Sequence, residues 1–429
     1  MFCIRLSRKP AVKTIVLIGT LDTKGVEYEY IKRCIEEKGC KTLVIDAGIL
    51  DTPFFQPDVP RTKIARLGGS SIGKLVEEGD RGRAVKTMSR GVEIFLSNLY
   101  SKGHVDGVIA MGGGGGTSIA CSGMRALPFG IPKVMVSTLA GRDVSGYVGI
   151  KDIVMMPSIV DISGINSISR DVFRKAAAAV CAMAEETGRD QKDKKLIAAT
   201  MFGNTTPAIT NARKILESTE HEVAIFPCSG TSGKVMEDLI CSDRIAGVLD
   251  ITTTELADEI AGGVLSAGPN RLEAASKNGI PQVVVPGCLD MVNFWEPETI
   301  PVQYRDRKFY RHNQNITLMR TNIEENRMLG EIIARKLNMS DAGTQKINVY
   351  IPLKGLSMID KPGGPFWWPE ADAALFSALK ANLRNDIPLI VINCNINDPA
   401  FSSACAEALF RLMGEDSGED GGINGRNKS

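Results

Sequence analysis

At 429 residues the chain is longer than one core normally fills, and about one domain per 150 residues predicts two or three. Hydrophobic content of 43% with 24% charged residues excludes a largely disordered or fibrous protein. Fifty-one basic residues against 50 acidic ones leave a net charge of +1, which excludes the diffuse positive field that holds nucleic acid or an anionic membrane surface.

The first residues carry Arg5, Arg8 and Lys9 but no apolar segment ending in a small-residue cleavage site, and the longest apolar runs are strand-sized. The expected address is the cytoplasm, with no membrane and no nucleic acid as partner. Ten cysteines without a C-x-x-C pair, and three histidines far apart (His104, His221, His312), predict neither a redox pair nor a zinc site.

In chain order, the run Thr14–Ile18, a helical pattern through Tyr28, Ile31 and Ile35, and the run Thr42–Ile45 make a βαβ unit. Its strands are continuously apolar, which predicts a parallel sheet covered on both faces. The Pro-, Gly- and charge-rich stretch from Asp51 to Gly82 reads as an excursion over the surface before a helix over Arg83–Tyr100. Strands over Gly107–Met111 and Lys133–Ser137 follow, then a helix over Arg170–Glu186.

The charged string from Glu185 to Lys195 is suited to a connector, and the pattern restarts after it. Strands are expected over Leu196–Met201 and Glu222–Phe226, with a helix over Pro207–Glu217. The halves echo each other: Asp106–Met111 with Gly130–Val136 matches Ala246–Ile251 with Gly279–Val285, in the same order. Strands over Asn348–Ile351 and Leu389–Ile392, with helices over Glu370–Leu383 and Ala400–Leu412, complete the second half. The expected fold is α/β, two tandem Rossmann-like domains with mainly parallel sheets flanked by helices. The first spans residues 1–190, the second 191–413, and 414–429 is expected to be a disordered tail.

Ligands of such sheets bind beyond the carboxyl ends of the strands, where helix N-termini present free N–H groups. Five successive glycines, Gly112, Gly113, Gly114, Gly115 and Gly116, allow close approach of the backbone to an anion, and Thr117 follows at a helix start. Gly19, Thr20, Asp22 and Lys24 lie in the turn after the first strand. There Asp22 suits magnesium or a ribose hydroxyl and Lys24 a phosphate, while an ordinary N-cap with a solvated lysine accounts for them equally well. Ser137 and Thr138 end the fourth strand.

The dinucleotide fingerprint is absent, because counting G-x-G-x-x-G from Gly112 or Gly113 lands on Thr117 or Ser118. The P-loop-like Gly68–Lys74 places Leu75 where a magnesium-binding hydroxyl belongs, and a serine hydrolase is set aside because Gly69–Gly73 follows no strand. In the second half Glu255, Arg271, Asp290, Asn293, His312, Arg320, Asp360 and Asn395–Asp398 are expected on the strand-end side of one sheet, where they suit a polar ligand, while ordinary caps and turns account for them equally well.

The segments Gly19-Thr-Leu-Asp-Thr-Lys-Gly25, Val136–Thr138, Thr253–Asp258, Leu265–Pro269, Asp290–Phe294, Thr317–Thr321 and Ile396–Pro399 together resemble the ATP-binding domain family named after the tomato mosaic virus resistance protein. The resemblance runs from about Thr14 to Met413. It implies two α/β subdomains, ATP bound with magnesium, and homodimers; the plant member binds a viral replication protein. Longer relatives add a TIM-barrel-like domain after this region, whose chemistry is not expected here. The chain departs from the family pattern at Arg142, Gln314 and Asn395.

The resulting expectation is a cytoplasmic ATP-binding protein with triphosphate on Gly112–Thr117 and Ser137–Thr138, magnesium on Asp22, and an unidentified small molecule held by the second domain across a crevice. Glu255 and His312 are the candidate general bases. The alternative is a two-lobed small-molecule binding module or an interaction scaffold without catalysis.

Overall fold

The computed structural model describes residues 12–186, 195–218, 221–242, 244–340 and 346–414. The expected tail beyond Gly414 and most of the charged connector lie outside these residues. The chain divides into two compact units between Gln191 and Lys192.

Unit 1 contains β1 (Thr14–Gly19), α1 (Leu21–Glu36), β2 (Lys41–Asp46), α2 (Arg61–Leu67), α3 (Ile72–Glu78), α4 (Arg81–Ser101), β3 (Gly107–Gly112), α5 (Gly114–Arg125), β4 (Lys133–Ser137), α6 (Ser145–Val148), β5 (Val154–Pro157) and α7 (Ser167–Glu186). The strands form one sheet in the order β2-β1-β3-β4-β5, every pair parallel. Alternation along β1 sends Ile15 and Leu17 to the face covered by Tyr28, Ile31 and Ile35 of α1 and Phe173 and Val180 of α7. Val16 and Ile18 face the opposite core, built from α2, α4 and α5. The continuous apolar runs are therefore consumed on both faces.

The stretch read as a surface excursion folds differently. It holds two helices, α2 and α3, which bury Ile64, Ala65 and Leu75. Two glycines allow the approach: a Cβ on Gly68 would lie 2.1 Å from the Thr87 carbonyl oxygen, and one on Gly91 2.1 Å from that of Ile64. A composition of Pro, Gly and charge concealed a close helix crossing.

Unit 2 contains β6 (Lys195–Met201), α8 (Thr206–Leu216), β7 (His221–Pro227), α9 (Thr231–Ile240), β8 (Ile245–Thr252), α10 (Glu255–Ala261), α11 (Ala274–Asn278), β9 (Gln282–Gly287), β10 (Met291–Phe294), β11 (Phe309–Arg311), β12 (Thr317–Arg320), α12 (Ile323–Leu337), β13 (Ile347–Pro352), α13 (Pro369–Asn382), β14 (Leu389–Ile392) and α14 (Pro399–Met413). Its parallel sheet has the order β14-β13-β9-β8-β6-β7, and β10, β12 and β11 form a small antiparallel sheet. Val283 and Val285 face the core of α8 and α14, and Val284 faces that of α12 and α13.

The echoed segments occupy equivalent places: β3 and β4 in unit 1, β8 and β9 in unit 2. Both orders reverse direction once, between β1 and β3 and between β6 and β8. The fold is thus two tandem Rossmann-like α/β domains, and each contains one topological switch point.

Candidate functional site

In unit 1 the loops after β1 and β3 meet at the switch point. They border a cavity of about 530 Å³ lined by Thr20, Asp22, Lys24 and Gly112–Gly116 together with residues of the β2 loop and of α3, α4 and α5. The α5 helix begins at Gly114 with Gly113 as N-cap, and no side chain caps it. The first-turn N–H groups of Gly114, Gly115 and Gly116 have no intrahelical acceptor and carry the positive end of a twelve-residue helix dipole.

Asp22 reaches this cavity with a side chain that is 2% exposed. Its Oδ2 accepts the Leu50 N–H at 2.8 Å and lies 3.9 Å from Arg61 Nη1. Its Oδ1 is buried and has no hydrogen-bond partner among the described residues. A buried carboxylate oxygen without a donor is costly unless a ligand supplies one. Asp22 fits a single carboxylate ligand for magnesium, an ion that keeps most of its shell as water and phosphate. Among the described residues no group of three or more His, Cys, Asp or Glu is arranged to hold a metal by itself.

Asp46, at the end of β2, accepts the N–H groups of Leu21 at 3.2 Å and Gly48 at 2.9 Å and so ties the β1 and β2 loops together. Burial raises its pKa, and the charge of Asp22 adds to that effect. Lys24 donates to the Ile162 carbonyl, which leaves its remaining N–H bonds for another acceptor.

The structure separates the predicted residues. Gly19 serves packing: a Cβ there would lie 2.4 Å from the Tyr28 ring, whose hydroxyl accepts the Met111 N–H and donates to Ile18. Thr117 and Ser137 are buried with their hydroxyls joined at 2.8 Å, so they brace the β3 and β4 ends beneath the cradle instead of facing a ligand. Thr138 is exposed, its Oγ1 3.6 Å from the Cβ position of Gly113.

Sequence reasoning missed Arg81, the first residue of α4. Its Nη2 lies 3.8 Å from the Cβ position of Gly115, which brings a guanidinium to the glycine turn from a segment read as surface. It also missed Gly48 and the apolar wall of α3 and α4. No local motif marks these residues, because the β2 loop brings Gly48 to the cavity and helix packing brings the wall.

Much of the polar set of unit 2 is engaged within the protein. Glu255 is 1% exposed and accepts from Arg271 Nε at 2.6 Å and from the Gly230 N–H at 2.8 Å. Arg271 also grips Asp250 through two bonds of 2.6 and 2.7 Å. Burial pushes the Glu255 pKa up against the opposing pull of Arg271. With both oxygens engaged inside the protein, this carboxylate is not placed to act as a general base. Arg320 binds Asp372 at 2.6 Å and approaches Asp360 at 3.7 Å, and Ser357 donates to Asp290. Asn395 donates its side-chain amide to carbonyls of the 354–360 loop. His312 stands apart on the exposed turn between β11 and β12. The guanidinium groups are committed inside the protein, Arg271 to Asp250 and Glu255 and Arg320 to Asp372, whereas the buried Oδ1 atoms of Asp290 and Asp360 have no hydrogen-bond partner among the described residues.

Residues 13–189 match the N-terminal domain, and residues 194–413 the C-terminal domain, of the uncharacterised protein family UPF0261. A UPF0261 protein of Clostridium tetani is 48% identical over 403 residues, covering 94% of this chain and 99% of that protein. The ToMV resistance protein Tm-1(GCR237) of Solanum lycopersicum is 38% identical over 423 residues, covering 93% of this chain and 55% of the tomato protein. Among solved structures, UDP-N-acetylglucosamine 2-epimerase from Rickettsia bellii aligns over 63% of this chain and 78% of that chain, at 11% identity and a TM-score of 0.20, a likeness that carries no argument. With both of its domains matched and this level of identity to its relatives, the chain belongs to the UPF0261 family and is homologous to the tomato Tm-1 protein.

Proposed function

We propose that unit 1 binds a nucleoside polyphosphate, ATP with magnesium, at the β1/β3 switch point. The phosphates lie on the N–H groups of Gly114–Gly116, flanked by Arg81 and Lys24, and Asp22 takes the magnesium ion or a ribose hydroxyl. The observation that carries this reading is the convergence of uncapped helix amides and an unpartnered, buried Asp22 oxygen on one cavity. The described cysteines are all free, as suits a cytoplasmic protein, and no described helix is long and apolar enough to cross a membrane.

Binding without turnover is the favoured form of this function. Glu255 is enclosed by Arg271 and Gly230 and His312 lies on an exposed turn, so neither is held as a general base. A second small molecule, a homodimer and an interaction-scaffold role belong to the same proposal as further partners.

The test is a titration of ATP and magnesium into the protein, followed by heat and by melting temperature. Nucleotide at 100 times its dissociation constant adds about 2.7 kcal/mol of stability. No heat and no shift at millimolar nucleotide would remove the proposal.

A further inference from the structure

The lining of the unit 1 cavity divides by chemistry. One side carries the glycine amides, Asp22 and Lys24. The other is formed by Leu75 and Val76 of α3, Ala84, Val85 and Met88 of α4, and Ile119 of α5, which offer no side-chain donor and no acceptor beyond the weak thioether of Met88.

The two sides meet at Gly115, whose Cβ position is 3.7 Å from Val85 Cγ2 and 3.8 Å from Arg81 Nη2. A phosphate seated on the α5 amides therefore brings the body of its ligand against Val85. The backbone of that wall is occupied by its own helices, and the Asp80 carbonyl accepts the Ala84 N–H. The Asp80 carboxylate is exposed, with Oδ1 capping α4 through the Arg83 N–H at 3.0 Å. The Asp161 carboxylate of the lining is exposed too and accepts the Ile162 N–H at 2.8 Å, so both it and Asp80 are partly committed and bathed in water, where a hydrogen bond discriminates weakly.

Resting on the phosphate reading above, we propose that this cavity selects its nucleotide by phosphate and shape and not by the hydrogen-bonding edge of the base, so that purine and pyrimidine nucleoside triphosphates are all ligands. A pocket built to hydrogen-bond a ligand rejects an analogue lacking that group by about 10⁴–10⁵. An apolar pocket discriminates shape by only about 10–200-fold. The wall of α3, α4 and α5 belongs to the second kind.

The experiment measures dissociation constants by calorimetry for ATP, GTP, CTP and UTP, each with magnesium, and for inorganic tripolyphosphate. The expected result is four nucleotides within about 200-fold of one another, all tighter than tripolyphosphate. One nucleotide preferred by more than that, or tripolyphosphate binding as tightly as the nucleotides, overturns the inference while leaving the phosphate site standing. Binding of none of the five removes the phosphate reading and this inference with it. In Val85→Phe, the four nucleotides should weaken together while tripolyphosphate is unchanged. A variant that weakens tripolyphosphate equally would also overturn the inference, since the ligand body then does not rest on this wall.

Discussion

The Asp22 carboxylate covers Gly48 so closely that a Cβ on Gly48 would lie 2.5 Å from Oδ1. A methyl group there must push the carboxylate aside, and the carboxylate is also held by the Leu50 N–H. Gly48→Ala should therefore weaken magnesium-ATP binding by about tenfold or more, equivalent to about 1.4 kcal/mol. Asp22→Asn should weaken magnesium-dependent binding while leaving binding of metal-free nucleotide nearly unchanged. Calorimetry with and without magnesium separates the two effects.

Glycines of the two loops should respond in opposite ways. A side chain on Gly114 meets only Leu139 Cδ1, at 3.9 Å, so Gly114→Val should fold with a melting temperature close to wild type and lose nucleotide binding. Gly19→Ala drives a methyl into the Tyr28 ring, and overpacking of this kind costs about 1–3 kcal/mol. Melting curves with and without ATP give both readings; an intact ATP shift in Gly114→Val would place the phosphates elsewhere.

Arg81 supplies a charge that the helix dipole alone lacks. Its exposure limits the worth of a phosphate bond there, so Arg81→Ala should weaken ATP by about tenfold, a loss partly recovered in Arg81→Lys. Titrations repeated at about 1 M salt should shrink the difference between wild type and Arg81→Ala, because screening acts on exposed charges.

Asp258 makes stability depend on pH. Burial raises its pKa to about 7, against the hydrogen bonds it accepts from Asn293 and Leu265. The folded state thus binds this proton more tightly than the unfolded state does. The contribution is complete below the unfolded value near 3.9 and is lost as pH rises through about 7. In Asp258→Asn the charge is never formed, and a flipped Asn293 amide, whose Oδ1 is buried and unpartnered, can pair with the new side chain. Denaturant midpoints between about pH 5 and 8 should fall less with rising pH in the variant than in wild type. Parallel curves would exclude Asp258 as the titrating group.

The Arg271 network should prove structural. Arg271→Leu leaves Asp250 and Glu255 buried without their guanidinium, and removal of one partner from such a pair costs about 3–5 kcal/mol. Urea unfolding should register this loss, and ATP affinity of protein that remains folded should not change.

Much of the sheet architecture could be read along the chain. Continuous runs such as Ile15–Ile18 and Val283–Val285 are apolar at every position because both faces of a parallel sheet are covered. The echo of β3 and β4 in β8 and β9 announced a repeated design. The five glycines pointed to a backbone bare of side chains, and α5 starts within them without a side-chain cap. Local periodicity did not disclose α2, because its pairing with α4 depends on Gly68 and Gly91, whose role is to have no side chain.

What the sequence by itself determined is the alternation of strand and helix and the loops that carry glycine, acid and hydroxyl residues, since these follow from short-range periodicity and backbone freedom. Tertiary structure alone decided which groups face open space. It turned the Thr117 and Ser137 hydroxyls toward each other, set Arg81 beside Gly115, and enclosed Glu255 with Arg271 sixteen residues away. Charge neutralisation and burial act between residues distant in the chain, so no spacing along it specifies whether a carboxylate meets a ligand or an arginine.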